Sequence, residues 1–360
     1  MPGAYFCIVL RVDCLNAICC LLLYTIQIHG VWASKPYDST KIRVMPVPTL
    51  GYTPETRGYA GAVCQLAFKS DPGTRLSAVK TEFQFTQKRQ TIVELAGSIF
   101  LPAEKWLINY TAHSSRFPDF WWGVGIHTPE SNKEGFNSRR NWLELAMLKN
   151  AGNNWFIGPL LKYQQRSNIE FNQTTTASFM KVSAVGIQFL HDSRDNMLNP
   201  TKGNFIDIQL TRNIAGNAGT GYRSAMDSRF YKKAGKSNTL AGRMTFSHLS
   251  SNTHFFDLAL LGGDRNLRGY YLGRFRDRGM LVFNVELRTA MHKRWGMALG
   301  VGAGTVFRQP EDIFKNPFKP AFNAGLRFLA DRRENINMRI DYAIGVKGQS
   351  GFYFAFGEAF

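Results

Sequence analysis

The sequence is poor in cysteine beyond its first twenty residues, and it lacks the repeated apolar runs of a helical membrane protein. Of its five cysteines, four lie at positions 7, 14, 19 and 20, so that only Cys64 remains in the rest of the chain. A lone cysteine excludes an intramolecular disulfide and a cysteine-based metal site there. The mean hydropathy of −0.22 argues against a bundle of membrane helices.

Acidic residues are also scarce, with 26 Asp and Glu against 44 Lys and Arg, which gives a formal net charge of +18. This excess alone is compatible with nucleic-acid binding, but no nucleic-acid recognition element is visible. Basic loops that contact anionic lipid head groups, or a basic barrel interior, are alternative explanations that require only a membrane location.

Catalytic motifs are missing as well. The sequence has no Gly-x-Ser-x-Gly, His-Glu-x-x-His, phosphate-binding loop or dinucleotide fingerprint. His191 and Asp192 precede Arg194 and Asp195 and could form a catalytic or metal cluster, but a hydrogen-bonded turn is the favoured interpretation. We therefore expect no enzyme activity, no metal and no cofactor.

The N-terminal residues point to export. Residues 14–34 carry no charge and follow Arg11, which is the layout of a secretory signal peptide. We predict that residues 1–33 are a signal peptide and that residues 34–56 form a periplasmic N-terminal segment. An uncleaved membrane anchor is the alternative, because 21 uncharged residues can just span a bilayer.

From about Arg57 onward, apolar residues alternate with polar or small residues, which is the period of a β-strand. In residues 280–288 the odd-numbered positions are apolar, whereas Asn284, Glu286 and Arg288 occupy the other face. A soluble sandwich turns the apolar face inward, whereas a transmembrane barrel turns it toward lipid.

Three observations favour the barrel: the predicted export, the aromatic residues at segment ends (Trp121, Trp122, Trp295), and a final segment that alternates phenylalanines and ends on one. We predict an all-β, antiparallel transmembrane β-barrel of about sixteen strands over residues 57–360. The predicted strands cover residues 57–69, 75–86, 91–101, 105–113, 120–128, 139–150, 154–166, 182–192, 203–213, 222–234, 237–249, 276–289, 295–307, 320–330, 335–345 and 351–360.

Two motifs and the C-terminus carry a family resemblance. HDSRDNMLNPTKG spans residues 191–203, between the eighth and ninth predicted strands, and LGGDRNLRGY spans residues 261–270, after the eleventh. Together they resemble motifs of the BamA/TamA family of outer-membrane assembly barrels, also called the bacterial surface antigen superfamily. The terminal strand, with Phe352, Phe354, Phe356 and Phe360 predicted on one face, resembles the C-terminal assembly signal of bacterial outer-membrane barrels.

The resemblance implies roles for particular residues. The family turn maps onto Asp192, Arg194, Asp195, Pro200 and Gly203. The tip of a loop that folds back into the lumen after strand 11 maps onto Arg268, Gly269 and Tyr270. Because a desolvated guanidinium needs carboxylate partners, we expect Arg268 to contact lumen-facing Glu286 or Asp341, neighboured by Arg288, Arg327 and Arg339. The alternative is that these charges simply line a wet lumen.

The resemblance further implies a bacterial outer-membrane location and a role in inserting or translocating proteins, or in lipid handling. Between Ser34 and the first predicted strand there is no room for the periplasmic repeat domains of the assembly factors, so we expect a separate periplasmic partner. Further expected partners are outer-membrane lipids, including anionic head groups, and the outer-membrane assembly machinery that inserts the chain itself; nucleic acid is not expected. A passive porin-like channel or a structural surface antigen is the alternative function.

Overall fold

The computed structural model describes residues 42–171, 178–250, 254–331 and 335–360. The predicted signal peptide, residues 1–33, lies outside these ranges and stays a prediction. Within the described ranges, no helix is both long enough and apolar enough to cross a membrane.

Sixteen antiparallel strands form one closed barrel, which confirms the predicted fold class. Each strand pairs with the next, and the first pairs with the last. In chain order they are β1 (Arg43–Thr53), β2 (Arg57–Phe68), β3 (Ser77–Thr86), β4 (Thr91–Phe100), β5 (Trp106–Arg116), β6 (Glu134–Gly152), β7 (Trp155–Phe171), β8 (Ser178–Asp192), β9 (Gly203–Gly216), β10 (Tyr222–Ala234), β11 (Asn238–Leu249), β12 (Gly279–His292), β13 (Trp295–Phe307), β14 (Lys319–Asp331), β15 (Ile336–Gly345) and β16 (Ser350–Phe356).

Short elements occupy the connections between these strands. Asp119–Trp121 is a short strand that pairs with the start of β6. Ala259–Leu261 and Phe275–Asp277 pair with each other within the long β11–β12 connection. Four single-turn 3-10 helices complete the described secondary structure, at Pro102–Glu104, Glu130–Asn132, Phe255–Asp257 and Pro310–Asp312.

Two predicted strand positions are wrong, and the two errors offset each other in the count. The segment 120–128 is not a barrel strand, because Gly123 and Gly125 adopt positive φ angles of 98° and 104° that end the extended backbone. Conversely, β1 lies within the segment 34–56 whose predicted place is the periplasm, so the barrel begins at Arg43 rather than at residue 57. This strand was not predicted because it contains Pro46 and Pro48, and proline within a segment argues against a strand.

The strand faces follow the predicted alternation. On β12, Phe283, Val285 and Leu287 are each 40% exposed, whereas Glu286 and Arg288 are buried. The exposed apolar side chains recur around the barrel, and a continuous apolar band of this kind is the lipid-facing surface of a transmembrane barrel. The polar faces therefore point into the lumen.

The two ends of the barrel differ. We call "loop end" the end that carries the β5–β6, β11–β12 and β13–β14 connections (residues 117–133, 250–278 and 308–318). We call "turn end" the end that carries the β6–β7, β8–β9 and β12–β13 connections (residues 153–154, 193–202 and 293–294). Outer-membrane barrels have long loops outside the cell and short turns in the periplasm.

The face assignment predicts the outcome of placing one charge on either side of the wall. We expect Val285→Arg, near the middle of the lipid-facing side of β12, to lower the free energy of unfolding by about 2–4 kcal/mol. The control Thr111→Arg adds the same group beside a lumen cavity of about 370 Å³, where water solvates it. Urea unfolding of both variants in lipid vesicles, followed by tryptophan fluorescence, measures the difference; equal losses would contradict the assignment.

Candidate functional site

The β11–β12 connection brings Arg268 against two carboxylates on the barrel wall. Arg268 Nη2 donates to Glu286 Oε2 of β12 at 2.5 Å, and Nη1 donates to Asp341 Oδ2 of β15 at 2.6 Å. Arg268 is 5% exposed and both carboxylates are completely buried. The structure thus places Arg268 between the two acidic residues that the sequence singled out.

The contacts continue into a larger set of charged groups. Arg327 donates to Asp341 at 2.5 Å and lies 3.5 Å from Glu286, and Arg288 donates to Glu286 at 2.8 Å. Arg339 donates to Asp341 at 2.7 Å and also binds Asp264. We call the complete set the lumen cluster: Asp264, Arg268, Glu286, Arg288, Arg327, Arg339, Asp341 and Glu358.

The lumen cluster is electrically balanced, since four guanidinium groups face four carboxylates. The net charge of +18 therefore does not originate in it. Removing one partner from such a buried set leaves an uncompensated charge, which typically costs about 3–5 kcal/mol of stability. The cluster is therefore a strong constraint on where the loop tip can lie.

Backbone and tyrosine contacts position the same loop tip. Gly269 N donates to the Tyr353 hydroxyl of β16 at 3.0 Å. The Tyr270 hydroxyl donates to the Pro320 carbonyl at 2.7 Å and accepts from Val346 N at 2.9 Å. Gly269 has a φ of 96°, and a Cβ there would lie 2.8 Å from the backbone of β15, so only glycine fits this approach.

The loop is also held near the loop end. The Tyr271 hydroxyl donates to Asp119 at 3.0 Å, and Leu272 N donates to Glu55 Oε1 at 2.7 Å, in the β1–β2 turn. Burial raises the pKa of the Glu55 carboxyl, although the hydrogen bond from Leu272 acts in the opposite direction. The loop therefore contacts β16 through Tyr353 and, through Glu55, the turn that follows β1.

Sequence reasoning missed three members of this arrangement. Glu358 stands out in the sequence only as an interruption of the apolar C-terminal face, and that interruption was the available signal for a buried, paired carboxylate. Tyr353 lies on the lumen side of its strand by simple alternation. Asp264 gave no signal, because a charged loop residue is normally solvated.

The family turn forms a compact hydrogen-bonded structure at the turn end. Asp192 accepts from Arg194 Nε at 2.9 Å and from Nη2 at 2.7 Å. Asp195 accepts from the Thr201 hydroxyl at 2.6 Å and from the backbone N–H groups of Thr201 and Lys202. Despite its partial burial, these hydrogen bonds lower the pKa of Asp195 below its ordinary value.

The other two turn residues have backbone roles. Pro200 is buried within the turn. Gly203 has a φ of 97°, and a Cβ there would meet the Ser193 carbonyl at 2.2 Å, so a side chain cannot be accommodated. No group of three or more potential metal ligands occurs in the described ranges.

The barrel closes through a minimal seam between β1 and β16. These strands are in register at a single pair, Tyr52 with Phe354, whereas β1 and β2 pair at eleven consecutive positions from Arg43 to Thr53. A Cβ at Gly51 would lie 2.5 Å from the Phe354 carbonyl, so the two strands approach closely at this point. The seam has the fewest paired positions of any junction between the barrel strands.

One predicted C-terminal residue lies elsewhere than expected. Phe352 and Phe356 are 43% and 38% exposed on the lipid-facing side, and Phe354 is half-buried beside the seam. Phe360 does not share their face: it is 6% exposed and packs against Tyr231 and Ala241. The tail changes direction at Gly357, whose φ is 79°, and this reversal cannot be read from the period-two pattern.

Comparisons with known proteins agree with this geometry. A family model described as the Omp85 superfamily domain matches residues 131–360. A search of the curated proteins gives no significant match.

Solved structures share the fold at low sequence identity. BamA from Haemophilus ducreyi, solved without its POTRA domains 1–3, is 12% identical with a TM-score of 0.57, over 89% of this chain and 71% of that one. CdiB from Escherichia coli is 11% identical with a TM-score of 0.59, over 90% of this chain and 63% of that one. CdiB from Acinetobacter baumannii is 11% identical with a TM-score of 0.55, over 88% and 65% respectively. The chain thus spans less than two thirds of the two CdiB chains.

The family match covers more than half of the chain and includes both motifs that carried the resemblance. The sixteen-stranded closed barrel is the fold shared with the BamA and CdiB structures. Barrels of this kind are outer-membrane proteins. This chain belongs to the Omp85 superfamily.

Proposed function

We propose that this barrel inserts or translocates polypeptides at the bacterial outer membrane. The observation that carries the proposal is the seam, where β1 and β16 pair at one position beside a loop held by Arg268. In the bilayer interior, backbone groups must find partners within the protein, so barrel walls are normally hydrogen-bonded throughout. A wall that is complete except at one junction can open there at low cost.

The lumen cluster supports an active role over a passive pore. Arg268 lies between β12 and β15, and Tyr270 and Gly269 contact β14 and β16, so the loop tip occupies space that a wide pore would leave open. In this proposal the loop guards the lumen, and its contacts with β16 and with the β1–β2 turn couple the position of the loop to the seam.

The passive channel remains the second candidate function, and one observation favours it. The half of the barrel away from the lumen cluster contains a cavity of about 370 Å³ whose lining includes the charged residues Lys80, Glu144 and Asp207. Such a cavity can hold water and ions. Lipid handling is the third form of the proposal, since the seam faces the bilayer.

Location and partners belong to the same proposal. A signal peptide would deliver the chain to the periplasm, and the aromatic residues Phe352, Phe354 and Phe356 would be read by the machinery that assembles outer-membrane barrels. BamA from Haemophilus ducreyi has POTRA domains of its own, and a separate periplasmic partner would supply an equivalent module here. Basic side chains in the connections would contact anionic lipid head groups.

One prediction of this function concerns the ion pairs that hold the loop tip, which we call the loop lock. Arg268→Ala leaves Glu286 and Asp341 without one cation, and we expect it to lower the free energy of unfolding by about 3–5 kcal/mol. We also expect protease to cut the 250–278 connection faster in vesicle-embedded protein. Arg308→Ala, at an exposed arginine of the β13–β14 connection, is the matched control. If the two variants have the same free energy of unfolding and the same rate of cleavage, Arg268 does not hold the loop.

The second prediction concerns the seam itself. In a Cys64→Ala background, a disulfide between Tyr52→Cys and Phe354→Cys should abolish activity, and reduction should restore it. Two activities are measured in vesicles: folding of a urea-unfolded eight-stranded outer-membrane barrel, and passage of an unfolded soluble polypeptide to a protease-protected compartment.

The matched control for the seam lock joins Leu50→Cys to Ala60→Cys, two residues paired between β1 and β2. This disulfide leaves the seam free, so we expect no loss of activity. If the locked seam supports the same activities as the control, the barrel does not work through the seam.

The third prediction separates the two function classes. An assembly or translocation barrel with the loop tip in place should show a low, flickering conductance in planar bilayers, and Arg268→Ala should increase it. A large and steady conductance in the unmodified protein, unchanged by Arg268→Ala, would establish the passive channel instead.

A further inference from the structure

The direction of the backbone groups on β1 follows from its neighbours. Gly58 of β2 accepts from Gln87 N at 2.8 Å and donates to Gln87 Oε1 at 3.0 Å, just beyond the end of β3. Even-numbered residues of β2 therefore direct their backbone groups toward β3, and odd-numbered ones toward β1, because these directions alternate along a strand. Since Val47 pairs with Val63, odd-numbered residues of β1 bond β2, and even-numbered ones face the seam.

Two of the seam-facing residues are prolines. Pro46 and Pro48 have no N–H, so two successive positions of this edge offer only acceptors. Pairing of β1 with β2 continues without a break past both prolines, as expected if the missing donors face away from β2. At Pro159 of β7, by contrast, the pairing with β6 lapses at residues 158–159.

The C-terminal tail avoids this edge. Continued in the register of Tyr52 with Phe354, β16 would bring Glu358 opposite Pro48 and Phe360 opposite Pro46. Carbonyls placed there would lack donors within the bilayer, which is unfavourable. Instead, the Phe360 carbonyl accepts from Arg288 Nη2 at 2.8 Å, and the Glu358 carboxylate accepts from Arg327 Nε at 2.9 Å.

We propose that Pro46 and Pro48 keep the turn-end half of the seam unzipped and prevent β1 from acting as a template for an incoming strand. The inference rests on the proposed function and decides between insertion and translocation: the barrel passes an unfolded polypeptide and does not build client strands onto β1. The two prolines are therefore specificity-determining residues of the seam. Tyr52, which retains its N–H group, marks the one position of this edge that pairs with β16.

The structural test uses a disulfide between Val47→Cys and Ala359→Cys, two positions that would be opposite each other if the tail paired with β1. In the full-length protein with Cys64→Ala, we expect almost no cross-link. Adding Pro46→Val and Pro48→Val restores two donors, and the cross-linked fraction should rise by about tenfold or more, since each net hydrogen bond favours the paired state several-fold. The β1–β2 pair Leu50→Cys with Ala60→Cys should cross-link in every background.

Two controls test whether the two prolines cause the low fraction of the 47–359 cross-link. Pro159→Val changes a proline far from the seam and should leave the 47–359 cross-link low. Glu358→Gln weakens the hold of the lumen cluster on the tail while both prolines remain, and the cross-link should again stay low. Efficient cross-linking with the prolines present would overturn the proposal.

The functional test uses the same vesicles and probes as the seam lock. Unmodified protein should translocate the unfolded polypeptide without accelerating the folding of the eight-stranded barrel, and the Pro46→Val, Pro48→Val variant should accelerate that folding. Acceleration by the unmodified protein, with no increase in the variant, would refute the inference. If no variant shows either activity, the proposed function fails, whereas the cross-link result still decides whether the prolines hold the seam open.

Discussion

The structure depends on one constraint, which is that a chain in a bilayer must satisfy its backbone hydrogen bonds by itself. Fifteen junctions of this barrel meet it through ladders between consecutive strands, and one does not. At that junction the chain reduces the number of unpaired backbone groups in two ways. Two prolines remove donors that would otherwise face lipid, and the tail carbonyl at Phe360 turns inward to an arginine donor.

The same need of buried polar groups for partners explains the lumen cluster. The tip of the β11–β12 connection places polar backbone and the Arg268 side chain in a desolvated environment, and both need fixed partners. Glu286 and Asp341 supply the charge, and Tyr353 supplies an acceptor for Gly269 N. Balanced pairing, with no excess of positive charge, is what makes so many buried arginines tolerable.

The sequence predicted much of this because alternation and motif spacing are local properties. The strands from 203 onward follow from period two, whereas the contact of Arg268 with Glu286 or Asp341 was implied by the family resemblance. The remaining features depend on exceptions to the pattern. Pro46 and Pro48 argued against a strand where β1 lies. Two glycines end the extended backbone within the segment 120–128, and the chain turns at Gly357, so that Phe360 lies on another face. Each exception is a property of the backbone, and the alternation of apolar and polar residues carries no information about it.

Loop and seam are finally connected through one side chain. Arg327 contacts Asp341 and Glu286, the partners of Arg268, and it also holds Glu358 of the tail at 2.9 Å. If Arg268 leaves, the two wall carboxylates lose a cation, and their attraction for Arg327 increases at the expense of Glu358. Displacement of the loop therefore weakens the anchor of the tail, because Arg268, Arg327 and Glu358 belong to one electrostatic unit.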